Sequence, residues 1–471
     1  MTESYDLVII GAGSAGLTAA GFAVQLGIRV ALAEKHRTGG DCTWTGCVPS
    51  KTLLKIAKVA HGMRNASRYG ITSADPIVDL KSVMSVVRNV IDQVYREESP
   101  EALVASGIDV LQGEVRFLDP HILAVNRDTI TARHVLLATG AYPFIPPING
   151  LDTVNSLTYE NIWDMETLPE HLIVIGAGPI GCEMAQAFRR LGSQVTLLEA
   201  GEHILPRDEP DASKVITEVF NAEGINIHSG VRVDRVWQKE NAIHVATESE
   251  EFVGDTLLVA VGRRPQVEGL ALEKAGVTYS PQGIEVDENL RTSQRHIYAA
   301  GDCTGSYQFT HYAGWQAAMA IRNALLPGST RGIRDMVPWT TFTDPEVAHA
   351  GLSEQQAREQ LGDVVMTCKW PMERVDRART EGRTQGFLKL VHKKDGTLLG
   401  ATIVCEQAGE MIHEWIVALE HNLKVGDLAQ TIHVYPTYST ASMQAAAEIR
   451  VTQLLGGLSG RAIRGLSHLL H

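Results

Sequence analysis

The sequence predicts an α/β protein built on two Rossmann-like dinucleotide-binding domains, and three observations predict it. A β-rich run at residues 5–10 leads into GAGSAG, with Gly11, Gly13 and Gly16, then a small-residue segment of helical character, then IRVALAE ending at Glu34. The unit recurs: HLIVIGAGPIG places Gly176, Gly178 and Gly181 after a strand, and QVTLLE ends at Glu199. Downstream, VLLATGAYP with Gly140 and Pro143 is echoed by LLVAVGRRP with Gly262 and Pro265.

Each part of the unit has a mechanical reason. The first glycine permits a tight turn, the second lets backbone approach a pyrophosphate, and the third lets helix and strand pack closely. The helix that follows offers unpaired N–H groups and positive potential to phosphate. The acid, 23 residues after the first glycine in both copies, can accept hydrogen bonds from a ribose. Two such sites in one chain suggest two dinucleotides with electron transfer between them. The first copy is longer than the second, and its most unusual content is GGDCTWTGCVPSK at residues 39–51.

Composition bounds the reading. The 471 residues are 44% apolar and 21% charged, enough apolar material to fold and a length suited to about three domains. Lys plus Arg is 42 against 55 for Asp plus Glu, a net charge of −13 that argues against general nucleic-acid or membrane-surface binding. Residues 7–28 carry no charge and are long enough for a membrane span. The acidic MTESYD flank and the glycines at 11, 13, 16, 21 and 27 oppose that reading, so a cytoplasmic protein without a membrane span is expected.

The six cysteines imply no extracellular disulfide scaffold. Cys42 and Cys47 are the one close pair, and no second pair at ligand spacing accompanies them, so no metal site is expected. Five residues of regular helix rise about 7.5 Å, whereas bridged cysteines need Cα atoms within roughly 7 Å. A disulfide here therefore requires a distorted segment, or Cys42 in the preceding turn; Gly40 and Gly46 permit distortion. Pro49 suits the first turn of a helix through residues 51–58, which puts Cys47 near a helix N-terminus where thiolate is favoured. Two ordinary buried thiols are the alternative.

With these residues in view, the chain resembles the class I pyridine nucleotide–disulfide oxidoreductases, which include lipoamide dehydrogenase, glutathione reductase and mercuric reductase. The likeness runs nearly end to end, through both glycine motifs, GGDCTWTGCVPSK, ATG at residues 138–140, GRRP at 262–265, AAGDCT at 299–304 and FTDPEVA at 342–348.

The resemblance implies an FAD-binding domain with the redox-disulfide insertion (1–150), an NAD(P)-binding domain (151–270), a return segment completing the first (271–335) and a C-terminal α+β dimerisation domain (336–471). Gly11, Gly13, Gly16, Glu34, Thr139, Gly140 and Asp302 would hold FAD. Gly176, Gly178, Gly181, Glu199 and Gly262, with Arg263 beside them, would hold the nicotinamide nucleotide. EAGEHILPR has no Arg before Arg207, and Glu202 adds a further negative charge, so NAD is favoured over NADP. Lys51 and Glu183 match the family's ion pair beside the flavin, although as bare residues either is an ordinary surface charge. Electrons would pass between NAD(H), flavin and the Cys42–Cys47 disulfide, with Cys47 as the flavin-side thiolate and Cys42 as the interchange thiol, in either direction.

One motif departs from the family. Disulfide-handling members carry HPTxxE, whose His is supplied across the homodimer as acid–base to the interchange thiol. Here HVYPTYST places Tyr435 at the His position and Thr440 at the Glu position, with His433 two residues upstream. A phenol near pKa 10 is a poor base at neutral pH but can donate a proton or touch a metal. Mercuric reductases also have Tyr there, yet the tail ends SHLLH after a last cysteine at Cys405, without their vicinal Cys pair. With Cys42 the first cysteine, no N-terminal metal-carrying domain is expected either.

The expectation is a homodimeric FAD enzyme with its active site completed across the interface and a thiol/disulfide acceptor, dihydrolipoyl dehydrogenase-like. Mercuric, other metal-ion or quinone reduction by the same relay is the alternative, and a non-catalytic redox-sensing flavoprotein a third. A terminal helix bearing Leu455, Leu458, Ala462, Leu466 and Leu469, with Arg461 and Arg464 beside them, is expected to dock on the dimer.

Overall fold

A computed structural model describes residues 3–456. The chain divides into two compact units: the described residues of Met1–Leu198 with Arg232–Asp335, and those of Glu199–Val231 with Met336–His471. Leu455 closes the last described helix, Thr440–Leu455. Leu458, Arg461, Ala462, Arg464, Leu466 and Leu469 lie outside the described residues.

In the first unit, β1 (Glu3–Ile10) runs parallel to β2 (Val30–Glu34) on one side and to the strand Asp128–Leu137 on the other. Strand Asp109–Gln112 extends the sheet beyond β2, and Ile297–Ala299 returns to pair in parallel with Asp128–Leu137. The hairpin strands Val115–Asp119 and Ile122–Val125 complete seven strands. The inner strands are buried on both faces, which is why they read as continuous apolar runs. Helix α1 (Ser14–Gln25) lies on the sheet through Ala15, Ala19, Ala20 and Ala23, small side chains that allow a close approach.

The second glycine motif builds the same local structure. Strand His171–Ile175 pairs in parallel with Gln194–Glu199 and Thr256–Val259, and the helix Pro179–Leu191 follows its glycines. Gly11 N–H donates to Ala33 O at 2.8 Å, and Gly176 N–H donates to Leu198 O at 2.8 Å. Ala138 N–H donates to Ile10 O, and Ala260 N–H to Ile175 O, again both at 2.8 Å. The two later glycines then lead into short strands, Ala141–Pro143 and Arg263–Pro265, that pair antiparallel with each other. Phe144 N–H reaches Gly262 O, and Gln266 N–H reaches Gly140 O.

The second unit is an antiparallel five-stranded sheet, in the order Trp339–Thr341, Glu346–Gly351, Leu398–Cys405, Phe387–Lys393 and Val365–Pro371. Helices Ala408–Glu420 and Thr440–Leu455 supply Met411, Ile412, Trp415, Ala445 and Ile449 to its core. This is the α+β region expected downstream of the nucleotide motifs. Among the described residues, no helix is long and apolar enough to cross a membrane; the uncharged stretch at residues 7–28 is β1, its turn and α1.

The third glycine of each motif is the steric constraint. A Cβ on Gly16 would lie 1.9 Å from Gly11 O, and one on Gly181 would lie 1.9 Å from Gly176 O. Gly21, exposed on α1, has nothing within 4 Å. Gly16→Ala and Gly181→Ala should each cost about 1–3 kcal/mol of overpacking in denaturant unfolding. Gly21→Ala should instead gain up to about 1 kcal/mol from reduced chain entropy.

Candidate active site

The redox segment is two helices broken where the glycines allow it. Helix α2 (Gly40–Trp44) carries Cys42, and α3 (Cys47–Arg64) begins at Cys47. Between them, Thr45 N–H and Gly46 N–H both donate to Asp41 O, so the chain turns on one carbonyl and does not continue as helix. A Cβ on Gly46 would meet Asp41 O at 2.9 Å, which reserves that position for glycine. The segment is broken as the spacing requires, and the two cysteines are free thiols that act directly on each other's acidity.

Their proximity splits their acidities. Cys42 beside it pushes Cys47 down to about 5, with the Thr310 hydroxyl and the Lys51 charge acting in the same sense against burial. Cys42 moves far upward, through the neighbouring Cys47, burial and the negative charge of Glu98. Cys47 Sγ lies 3.3 Å from Thr310 Oγ1. Lys51 Nζ pairs with Glu183 at 3.0 and 3.3 Å, joining α3 to the helix after the second glycine motif. The other four cysteines are packing residues: Cys182 and Cys303 are buried and donate to backbone carbonyls, Cys405 contacts Met411 sulfur, and Cys368 packs partly buried against the core of the second unit.

The glycine loops show which positions the protein itself occupies. Gly11 and Gly16 are closed in by backbone, a Cβ on Gly11 meeting Ala138 O at 2.3 Å. Gly13 has its nearest such neighbour at 3.7 Å, and Gly178 has nothing within 4 Å. Gly178 thus faces open space, while Gly13 is in ordinary contact with the backbone of Gly40. Glu34 closes β2 with its carboxylate accepting from Ala12 N–H at 2.9 Å and His36 N–H at 2.8 Å, which fixes it beside the first loop. Glu199 accepts from Gly201 N–H at 2.7 Å. Thr139 Oγ1 donates to Gln266 O at 2.6 Å, and Gly140 and Gly262 both take positive φ.

The Arg263 guanidinium pairs with Asp302 at 2.8 Å and also donates to Gln308 O. Sequence reading missed three further groups: Thr310, 263 residues from Cys47; Asp41, which accepts from Tyr159 Oη at 3.3 Å; and Glu98, which accepts from Thr43 Oγ1 at 2.6 Å. Only Asp41 left a signal, as the residue preceding Cys42.

In the second unit, Tyr435 stands 64% exposed beside Ile432 at 96% and Val434 at 77%. Its hydroxyl donates to Asp376 Oδ2 at 2.8 Å, and that bond raises the phenol further above the neutral range. Thr440 is buried at a helix start, its hydroxyl in contact with Thr437. His433 does pair with a glutamate, Glu414, at 2.6 Å, but its other ring nitrogen engages Thr431 O, so the imidazole is spent within its own unit.

Fold, paired thiols and glycine loops define a flavin-dependent disulfide oxidoreductase. Comparison with known proteins places the chain by name: it belongs to the pyridine nucleotide-disulphide oxidoreductase family, whose model matches residues 5–317, with the dimerisation domain matching 337–446. Relatives include a mercuric reductase of Bacillus cereus, 36% identical over 92% of this chain and 69% of that protein. A dihydrolipoyl dehydrogenase of Thermus scotoductus is 36% identical over 94% of this chain and 97% of that one. Among solved structures, the HOCl-induced flavoprotein disulfide reductase RclA from Escherichia coli superposes with TM-score 0.86 at 30% identity, covering 94% of this chain and 99% of RclA; it is also known as a Cu(II) complex. The chain is an FAD-dependent, NAD(P)H-linked disulfide oxidoreductase with a homodimerisation domain.

The split acidities give a direct test. In the reduced protein, ultraviolet thiolate absorbance should titrate in a step near pH 5, with thiolate present above it, since a lowered pKa means ionisation persists to lower pH. Cys47→Ser should remove that step, and Lys51→Met should move it upward.

Proposed function

We propose that this enzyme uses NADH to reduce a disulfide acceptor through Cys42 and Cys47, with Tyr435 in place of the usual base at the acceptor. The observation that carries this is the broken helix, which starts afresh at Cys47 beside the Thr310 hydroxyl, with ionisation favoured at Cys47 and disfavoured at Cys42. Gly11, Gly13, Gly16, Glu34, Thr139, Gly140 and Asp302 are the proposed FAD ligands. Gly176, Gly178, Gly181, Glu199 and Gly262 are those for NAD, Glu199 selecting a free 2′-hydroxyl. When bound, these cofactors supply the two-electron hydride chemistry that loads the cysteine pair.

The remaining work belongs to the side chains. Lys51, oriented by Glu183, and the Thr310 hydroxyl stabilise negative charge on Cys47. Cys42 gives up its proton and attacks one sulfur of the acceptor, forming a mixed disulfide and releasing a thiolate that takes a proton. Cys47 then attacks the Cys42 sulfur, expels the second thiol and restores the Cys42–Cys47 disulfide. We assign Tyr435 to Cys42 of the partner subunit, as hydrogen-bond donor to the leaving sulfur. The exposed run of Ile432, Val434 and Tyr435 supports an interface role.

A second reading, metal-ion reduction by the same pair, draws on Tyr435 and on the mercuric reductases among the relatives. An acceptor panel of lipoamide, glutathione disulfide, Hg(II), Cu(II) and quinones, run with NADH and with NADPH, separates the readings. The expected outcome is higher kcat/KM with NADH and turnover of a disulfide. Loss of long-wavelength thiolate–flavin absorbance in Cys47→Ser should accompany it, whereas a wild-type flavin that NADH fails to reduce would sink both readings. Tyr435→His should raise disulfide turnover about tenfold or more, because an imidazole near pKa 6.5 can cycle its proton at neutral pH.

A further inference from the structure

Two carboxyl groups, Asp41 and Asp302, share the Arg263 guanidinium beside the first glycine loop, with Glu160 close to Asp41. Gly39 N–H donates to Ala12 O at 2.9 Å, and a Cβ on Gly40 would lie 2.6 Å from Gly13 Cα, so the segment entering α2 is pressed onto the loop. Asp41 follows directly, its Oδ2 accepting from Tyr159 Oη at 3.3 Å. The charged groups facing it are Arg263, Glu160 and Asp302. Arg263 makes its direct ion pair with Asp302 at 2.8 Å, and Glu160 faces Lys35 and His36. Glu160 is exposed to solvent, whereas Asp41 is partly buried and has a phenol, not a cation, as its hydrogen-bond partner.

A cofactor pyrophosphate adds two more negative charges to this corner. Like charges in a partly buried site cannot all be ionised, and the proton stays on the group least compensated. By the contacts above, that group is Asp41. We propose that FAD binding captures a proton on Asp41, whose carboxyl then acts as a neutral hydrogen-bond donor toward the cofactor's phosphate. The free protein is already poised for this. Burial pushes Asp41 up to about 6, with Glu160 and Asp302 adding to the effect and Arg263 and Tyr159 opposing it.

The sign follows from linkage. A site that binds its ligand with the proton on loses affinity as pH rises above the free-state pKa, by up to about tenfold per pH unit until the bound-state pKa is reached. The inference rests on FAD being held at the Gly11–Gly16 loop, and the test separates the two ideas. Holoenzyme is diluted into buffers from about pH 5 to about pH 9, and released FAD is read from recovered flavin fluorescence. The FAD Kd should rise with pH above about 6. Asp41→Asn, which keeps the donor and cannot ionise, should flatten the profile while retaining FAD. Asp302→Asn, which leaves Asp41 titratable but removes one of the charges that raise it, should keep a slope and move its onset to lower pH. A flat wild-type profile, an unchanged slope in Asp41→Asn, or a slope removed by Asp302→Asn alone would overturn the assignment. A protein that holds no FAD at any pH would instead fail the cofactor reading.

Discussion

The chemistry of this protein depends on an interruption of helix at Gly46. Were α2 and α3 one continuous helix, Cys42 and Cys47 would be separated by about 7.5 Å of rise and could not share a bond. Because Asp41 O takes both Thr45 N–H and Gly46 N–H, the second helix starts afresh at Cys47. Everything else in the site serves the pair thus formed. The helix start, Lys51 and Thr310 favour charge on Cys47, and the neighbouring carboxylate Glu98 disfavours it on Cys42. One backbone turn therefore gives two thiols of one short segment opposite acidities.

Much of this was legible in the chain because it is local. The roles of the three glycines follow from spacing, and the structure separates them: Gly11 and Gly16 are enclosed by backbone, whereas Gly13 is not. The five-residue cysteine spacing required a distortion, and one is present. Glu34 and Glu199 end their strands as the repeat demanded.

What was not legible comes from segments far apart in sequence. Thr310 reaches Cys47 only because the return segment brings the helix Thr310–Leu325 back to the first sheet. The ion pair of Arg263 with Asp302 likewise joins segments that the sequence does not place together. His433 shows the same: its partner Glu414 lies on the helix Ala408–Glu420, nineteen residues away.

The exchange of strands between the two repeats carries its own consequence. Each copy ends in a three-residue strand whose hydrogen-bonding partner is the equivalent strand of the other copy, sealed at both ends by Phe144 to Gly262 and Gln266 to Gly140. Such a ribbon works like a clasp: neither half has a complete edge until the other is made. Excising one nucleotide unit as a separate module would expose unpaired backbone at that clasp, so the duplicated halves are bound to a shared fate in folding as well as in catalysis.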